Sequence, residues 1–537
     1  MSEHRPLPGV ASSTRINCDV LVIGGGMAAA WASIAAAREG ASVVLVDKGY
    51  VGTSGVTATA GPGHWFVPPD PEKRAAAVAQ REAIACGIAD ERWMARILEE
   101  TWQQLPKLEG YYEFGINDAG IKIYGAVRGP EYMRALRQLA EALSVRILDQ
   151  SPALELLLHH DGSVAGARGI HRQRNEAWTV RAAGVVLATG GCAFFSRLLG
   201  SRTNTGDGYL MAAEAGVELS GMEFSSQYIV APAFSTMARG MSYAYATYYG
   251  PDRRPLDIPT QAGGNRALAR HMLRGPVYCD LGRMPLDIRA RLPFISPNVM
   301  LPFVRRGIDP FNDQFPVTLI AEGTIRGMGG IKVVDDDCQT AVGGLYAAGD
   351  AASRELVTGA VSGGGAINSA WALSSGCWSG RAAARRALTH GRRANQPAQP
   401  IGQPAFRPRR EPVSIDLGQV ITTAHDEATH YDKNLFRSGP KLERSLERLD
   451  DLWRELRDSL QGEGVGLVRA REACAIVASA RWSYTAALHR SETRGQHQRE
   501  DAPDMLPRFA QRQSLSGIDR IRSSFQRDSG QAEAKTG

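Results

Sequence analysis

An apolar run cut by three glycines constrains this chain more than any other feature. From Asp19 the sequence reads Asp-Val-Leu-Val-Ile-Gly-Gly-Gly-Met. An alanine-rich stretch to Glu39 follows, then Gly40 and a second apolar run, Ser42-Val-Val-Leu-Val46, which ends at Asp47. The uncharged span from Val20 to Ala37 approaches the length of a bilayer crossing, but the glycines interrupt it almost at once. A short strand, a glycine turn, a helix opening at Met27 and a second parallel strand explain the span better, and together they make a βαβ unit.

That unit carries Gly24-x-Gly26-x-x-Ala29, with Met27 and Ala28 in the first helical turn. Gly24 permits the tight turn, and Gly26 lets backbone N–H groups approach a pyrophosphate. The small Ala29 lets helix and sheet pack closely. The helix N-terminus adds partial positive charge, and Asp47 is placed to accept hydrogen bonds from an adenosine ribose. Dinucleotide binding is the expectation.

The rest of the composition narrows the class. A chain of 537 residues with 43% apolar content can bury a large core and predicts two to four domains of ~100–200 residues each. The net charge of +6 is spread without a sustained Lys/Arg stripe, which argues against a nucleic-acid partner. Seven scattered cysteines lack any C-x-x-C, so neither a disulfide framework nor a metal or iron–sulfur site is expected. Residues 1–19 lack an apolar signal core. A cytoplasmic protein with reduced thiols and no direct membrane insertion is the expectation.

Further along, Gly184-Val-Val-Leu-Ala-Thr-Gly-Gly191 reads as a second strand and glycine turn. Gly344-Leu-Tyr-Ala-Ala-Gly-Asp350 reads as a third, with Gly363-Gly-Gly365 opening an uncharged helix. The predicted fold is α/β. A doubly wound dinucleotide-binding, Rossmann-like domain spans 15–215 and 328–390, and an inserted α+β capping domain spans the tyrosine-rich 216–327. An exposed linker follows at 391–412, then a C-terminal helical domain at 413–510 and a flexible tail at 511–537. Leu442, Leu446, Leu449, Leu452, Trp453 and Leu456 recur at helical spacing within the helical domain.

The loop Asp47-Lys48-Gly49 through Thr53-Ser54-Gly55 continues into Thr57, Ala58 and Gly61. Ala188-Thr-Gly-Gly191, Thr205-Gly-Asp-Gly208, Met328-Gly-Gly-Ile331, Ala348-Gly-Asp350, Asn368-Ser369 and Arg494-Gly-x-His497-x-Arg499-x-Asp501 recur downstream. In these motifs, over roughly residues 16–505, the chain resembles the fumarate reductase/succinate dehydrogenase flavoprotein family, which includes L-aspartate oxidase and the adenylylsulfate reductase flavoprotein. The resemblance implies FAD. The expected cofactor set is Gly24, Gly26, Met27, Ala28, Ala29, Asp47, Lys48, Gly49, Thr53, Ser54, Gly55, Thr57, Ala58, Gly61, Ala153, Thr189, Gly190, Asp207, Gly349, Asp350, Ser362, Gly365, Asn368 and Ser369. Asp350 is expected to meet the ribityl or pyrophosphate part. In quinone-linked members a histidine in the loop after the first βαβ unit attaches FAD covalently. Gly55 stands at that place here, so the expected FAD is noncovalent; His64 lies nine positions late.

The family pattern also implies a clamp for two carboxylates, and here it breaks. Tyr228 stands where a substrate-binding histidine is expected, Thr324-Ile-Arg326 where another falls, and Gly359-Ala-Val-Ser362 where an arginine falls. A C4 dicarboxylate would lack its usual counter-charges, and an unpaired buried carboxylate costs about 3–5 kcal/mol. Tyr228 is read as a polar wall of a larger cavity and Arg326 as one anion site. Arg266, at the place of the family's proton donor, His271 and Glu322 are the candidate proton carriers. His497 and Arg499 are read as locking the helical domain in place.

The expected activity is hydride transfer between flavin N5 and a small carboxylate- or carbonyl-bearing substrate. Alternatives are a fumarate reductase, succinate dehydrogenase or L-aspartate oxidase proper, and a flavoprotein electron-transfer subunit with an iron–sulfur partner. The electron acceptor is left open among oxygen, a quinone and a small iron–sulfur protein, as is a homo-oligomer.

Overall fold

The computed structural model describes residues 7–10, 13–237, 240–259, 263–295, 297–391 and 396–525. At its centre lies a five-stranded sheet ordered Leu345–Ala347, Gly184–Leu187, Val20–Ile23, Val43–Val46 and Arg146–Leu148, with every pairing parallel. Strands Val20–Ile23, Val43–Val46 and Gly184–Leu187 are buried on both faces, which is why they read as continuous apolar runs. The Val20–Ala37 span is therefore strand, turn and helix. Among the described residues no helix is long and apolar enough to cross a membrane.

Helix Met27–Arg38 carries no charge before its last residue because it is sandwiched. One side lies on the parallel sheet, and the other lies along the 27-residue helix Gly364–His390. The two helices approach so closely that a Cβ on Gly376 would sit 2.5 Å from the Ala28 carbonyl oxygen. One on Gly380 would sit 2.2 Å from that of Ala32. Small residues on facing turns make this approach possible, and it brings both helix N-termini to the carboxyl ends of the strands.

A second sheet, Ser13–Asn17, Glu176–Arg181, Val164–His171, Ala153–His159 and Ala398–Pro400, flanks the first. Its last strand corrects one expectation. The segment 391–412 is no exposed linker: Ala398–Pro400 pairs antiparallel with Leu157–His159, Ala405 and Phe406 are buried, and the Gly402 N–H donates to the Glu155 carboxylate at 2.9 Å. Proline is compatible with an edge strand, so the Pro-rich composition was no guide to exposure. Residues 392–395 lie outside the described set.

The cap is a four-stranded antiparallel sheet, Tyr228–Pro232, Phe315–Ala321, Val277–Asp280 and Thr247–Tyr249, with helices Gly264–Met272, Leu286–Ile295 and Pro297–Val304. It has its own core, to which Leu435 and Phe436 from the C-terminal region contribute. Helices Leu417–Thr429, Gly439–Ser459 and Gly466–His489 form the helical domain, and Leu442, Leu449, Trp453 and Leu456 are buried as their spacing predicts. A second correction concerns the chain end. Gln513–Ser516 and Arg522–Phe525 form a hairpin that joins Leu219–Ser220 and Gly330–Ile331 in one sheet. The expected tail is thus ordered through residue 525, and 526–537 lie outside the described residues.

Candidate active site

One cavity of about 1260 Å³ runs from the carboxyl ends of the parallel strands into the cap. Single-ligand pockets hold ~300–1,000 Å³, so this one has room for a cofactor and a second molecule. Its floor is the glycine turn. Gly24 has φ +125°, and a Cβ there would sit 2.2 Å from the Ala188 carbonyl oxygen, so no larger residue fits. A Cβ on Gly26 would meet nothing within 4 Å, because that side opens into the cavity at the N-terminus of helix Met27–Arg38.

Asp47 lies at the end of the next strand, buried beside the turn. Its Oδ2 accepts from the Ser54 hydroxyl and from the Gly49 N–H at 3.1 Å. Burial raises its pKa, and those bonds oppose the rise. Lys48 is held in an ion network, donating to Asp207 at 2.6 Å, Thr205 at 2.7 Å and Glu472 at 3.1 Å. Burial alone would lower its pKa, but the two carboxylates overcome that and raise it. Lys48 thereby fastens the loop after the second strand to the helical domain.

Further along the cavity, Ser54, Gly55, Thr57 and Gly61 line one side, and Ser362, Gly365, Asn368 and Ser369 line the other at the N-terminus of helix Gly364–His390. Both amide atoms of Asn368 are buried without a hydrogen-bond partner among the described residues, and so is Oδ1 of Asn204. A glycine cradle, two helix N-termini and orphaned amide atoms facing one cavity suit a polar, phosphate-bearing, flat-ringed group such as FAD. Met27, Ala28, Ala153, Thr189, Gly190 and Asp350 line it as well. Five expected members do not. Ala29 is buried between helix and sheet, and Gly349 packs against Ala28. Gly49 donates to Asp47, Thr53 bonds Tyr50, and Ala58 lies behind its loop. These shape the wall without facing the space.

At the cap end, Glu322 precedes the short helix Gly323–Arg326, whose last residue is Arg326. Both face the cavity, 3.7 Å apart. Glu322 is buried, which pushes its carboxyl up to about 7 against the opposing pull of Arg326 and Arg354. Arg266 also lines the cavity, but its guanidinium donates to the Leu435 carbonyl and to Gln498, each at 2.9 Å, and it stacks on Phe436. His271, on the same helix, does not line the cavity. Tyr228 contributes its ring to the wall, yet its hydroxyl donates to the Thr429 carbonyl at 2.9 Å and accepts from Asn434 at 3.2 Å. It ties the cap to the helical domain rather than presenting a polar group to a ligand.

Residues 19–215 match the FAD dependent oxidoreductase family, and residues 426–521 match the fumarate reductase flavoprotein C-terminal family. One subunit of the fumarate reductase (CoM/CoB) of Methanothermobacter marburgensis is 26% identical over 92% of this chain and 96% of its own length. The L-aspartate oxidase of Streptomyces coelicolor is 28% identical over 93% of this chain and 91% of its own. The chain belongs to the fumarate reductase/succinate dehydrogenase flavoprotein family. The E. coli quinol fumarate reductase FrdA shares the fold at a TM-score of 0.78, with 21% identity over 95% of this chain and 97% of that one. An adenosine-5-phosphosulfate reductase does so at 0.77, with 18% identity over 97% and 98%. As a member of this family the chain is an FAD-dependent oxidoreductase, which agrees with the cradle described above.

Within this flavoprotein, the C-terminal signature is structural. His497 is buried, accepting from Arg437 at Nδ1 and bonding the Arg490 carbonyl through Nε2, each at 2.9 Å, and Arg499 pairs with Asp501 at 2.8 Å. Gly495, Gln496 and Gln498 of the same segment reach the cavity instead. Arg354 was also missed. It is fully buried, pairs with the Asp350 carboxylate, and donates to the carbonyls of Thr324 at 2.9 Å and Ile325 at 2.5 Å and to that of Gly327. One guanidinium thus joins the Asp350 turn to the loop carrying Glu322 and Arg326.

Proposed function

We propose that this flavoprotein moves a hydride between noncovalently held FAD and a small organic substrate bearing a carboxylate or carbonyl, with Glu322 carrying the proton. In this reading residues 15–215 and 328–390 hold the cofactor and the cap within 216–327 holds the substrate. Bound FAD supplies the two-electron acceptor. Gly26 and the N-terminus of Met27–Arg38 would receive its pyrophosphate, and Asp47 its ribose hydroxyls. Asp350 would take the ribityl chain, with Arg354 keeping the Asp350 carboxylate oriented. The N-terminus of Gly364–His390 would favour negative charge on the ring.

Glu322 is the observation that carries the reading. It is a buried cavity carboxyl whose pKa of about 7 lets it hold and release a proton near neutrality. Arg266 remains a bound cation at the seam between the cap and the helical domain, and His271 has no line to the cavity. Arg326 is left as the anion site. Noncovalent attachment is supported by Gly55 at the ring loop and by the absence of any histidine among the described residues lining the cavity.

The test is anaerobic stopped-flow reduction of the yellow protein with a substrate panel that includes succinate and L-aspartate, together with turnover of fumarate by the reduced form. Rapid turnover of any of these three overturns the altered-pocket reading, and a colourless protein that cannot be reconstituted with FAD overturns the function. A second reading is favoured by the relative named as a subunit: the chain hands electrons to a partner protein. Copurification of a small Cys-rich protein would support it, and full turnover by the isolated chain would refute it.

A further inference from the structure

The cap half of the cavity has a composition of its own. Met237, Tyr243, Tyr248, Ile258 and Ile288 are half-buried apolar side chains packed on the cap core with surface left for the cavity, and Leu292 backs them. Among the described residues, the charged side chains that the cap adds to this wall are Arg266, Glu322 and Arg326, and no histidine joins them. Arg266 is engaged by Leu435, Gln498 and, at 3.7 Å, Glu500. Arg326 has Glu322 at 3.7 Å and is still one-third exposed, at 34% of its side-chain surface. The wall therefore offers one cation for an incoming anion and a broad apolar face within the same cavity.

We infer that the substrate is a monocarboxylate on an apolar, ring-sized body, with its anion on Arg326 and its body against Tyr243, Tyr248, Met237 and Ile288. This deepens the proposed function and rests on it. A guanidinium with free N–H groups takes a carboxylate in a bidentate fork. Ring faces and aliphatic side chains gain from every Å² of apolar substrate they cover, and they carry no counter-charge for a second carboxylate, which would enter that wall without an ionic partner. A dicarboxylate of four carbons satisfies Arg326 and leaves the apolar face wet.

The experiment is isothermal titration calorimetry on the FAD-loaded oxidised protein, with the flavin difference spectrum as a second readout. 3-Phenylpropionate is the probe, succinate and the neutral 3-phenylpropionamide the comparators. 3-Phenylpropionate is expected to bind at least tenfold more tightly than either, a difference of about 1.4 kcal/mol. Arg326→Leu is expected to abolish the preference for acid over amide, and Arg326→Lys to restore part of it. Ile288→Glu is expected to weaken the aryl acid at least tenfold with flavin retained. Succinate binding as tightly as the aryl acid, the amide matching the acid, or no binding of 3-phenylpropionate at millimolar concentration overturns the inference. If a variant fails to fold, the three-ligand comparison on the unaltered protein decides alone. Yellow, reducible protein that prefers succinate sinks the substrate class, whereas failure to hold flavin sinks the proposed function itself.

Discussion

Replacing Glu322 with Gln separates the buried proton from everything else at the site. The side chain is 6% exposed, and burial pushes its carboxyl from the ordinary 4.5 to about 7, the pull of Arg326 and Arg354 notwithstanding. Between those two values the folded chain keeps a proton that the unfolded chain has released, so stability falls as pH rises through the window. The loss is about 1.4 kcal/mol per pH unit, or about 3 kcal/mol in all. Glutamine keeps the shape and removes the titration. Thermal unfolding of both FAD-loaded proteins, followed by flavin fluorescence at about pH 5 and about pH 8, should show Glu322→Gln gaining on the unaltered chain at the higher pH, by up to about 3 kcal/mol. If Glu322 also moves the substrate proton, the rate of flavin reduction should fall about 10²–10⁴-fold with flavin binding unchanged. A stability gap that is the same at both pH values refutes the buried-proton argument, and an unchanged rate refutes the proton-transfer role.

Gly24→Ala should yield a folded but largely colourless protein, because its Cβ would sit 2.2 Å from the Ala188 carbonyl oxygen; the flavin-to-protein absorbance ratio measures this. Acid precipitation of the yellow protein should leave all of its flavin in the supernatant, and flavin retained in the washed pellet would contradict noncovalent binding. Arg490→Met removes the partner held at 2.8 Å by buried Glu223 and should cost about 3–5 kcal/mol, read as a lower midpoint in chemical unfolding. Arg354→Met leaves Asp350 without its cation and frees the 324–327 carbonyls. It should weaken both FAD retention and ligand binding, where a change confined to one of them would show that Arg354 does not couple the two.

Much of the cofactor half was legible in the chain because its chemistry is local. Gly24, Gly26 and Asp47 act through the turn and strand ends on which they sit, and their spacing already implies a phosphate at a helix N-terminus. His271 could also have been read correctly. Five residues beyond Arg266 on one helix, it lies about 140° round the axis, so the two could not both face one cavity. The error over 391–412 has a different origin: proline and arginine composition describes a chain in isolation, and it says nothing about an edge strand waiting to be paired.

The amino-acid order by itself determined the dinucleotide fold and the family, since each depends on residue types at short spacing or on motifs recognisable one at a time. Which polar groups are left facing the cavity was decided only by folding. Tyr228 spends its hydroxyl on Thr429, Arg266 is taken up by Leu435 and Gln498, and Glu322 acquires its raised pKa from burial between the cap and the flavin domain. Hydrogen-bond partners and desolvation come from segments a hundred or more positions apart. A side chain's availability is therefore a property of what packs on it, and no neighbour in sequence reveals that.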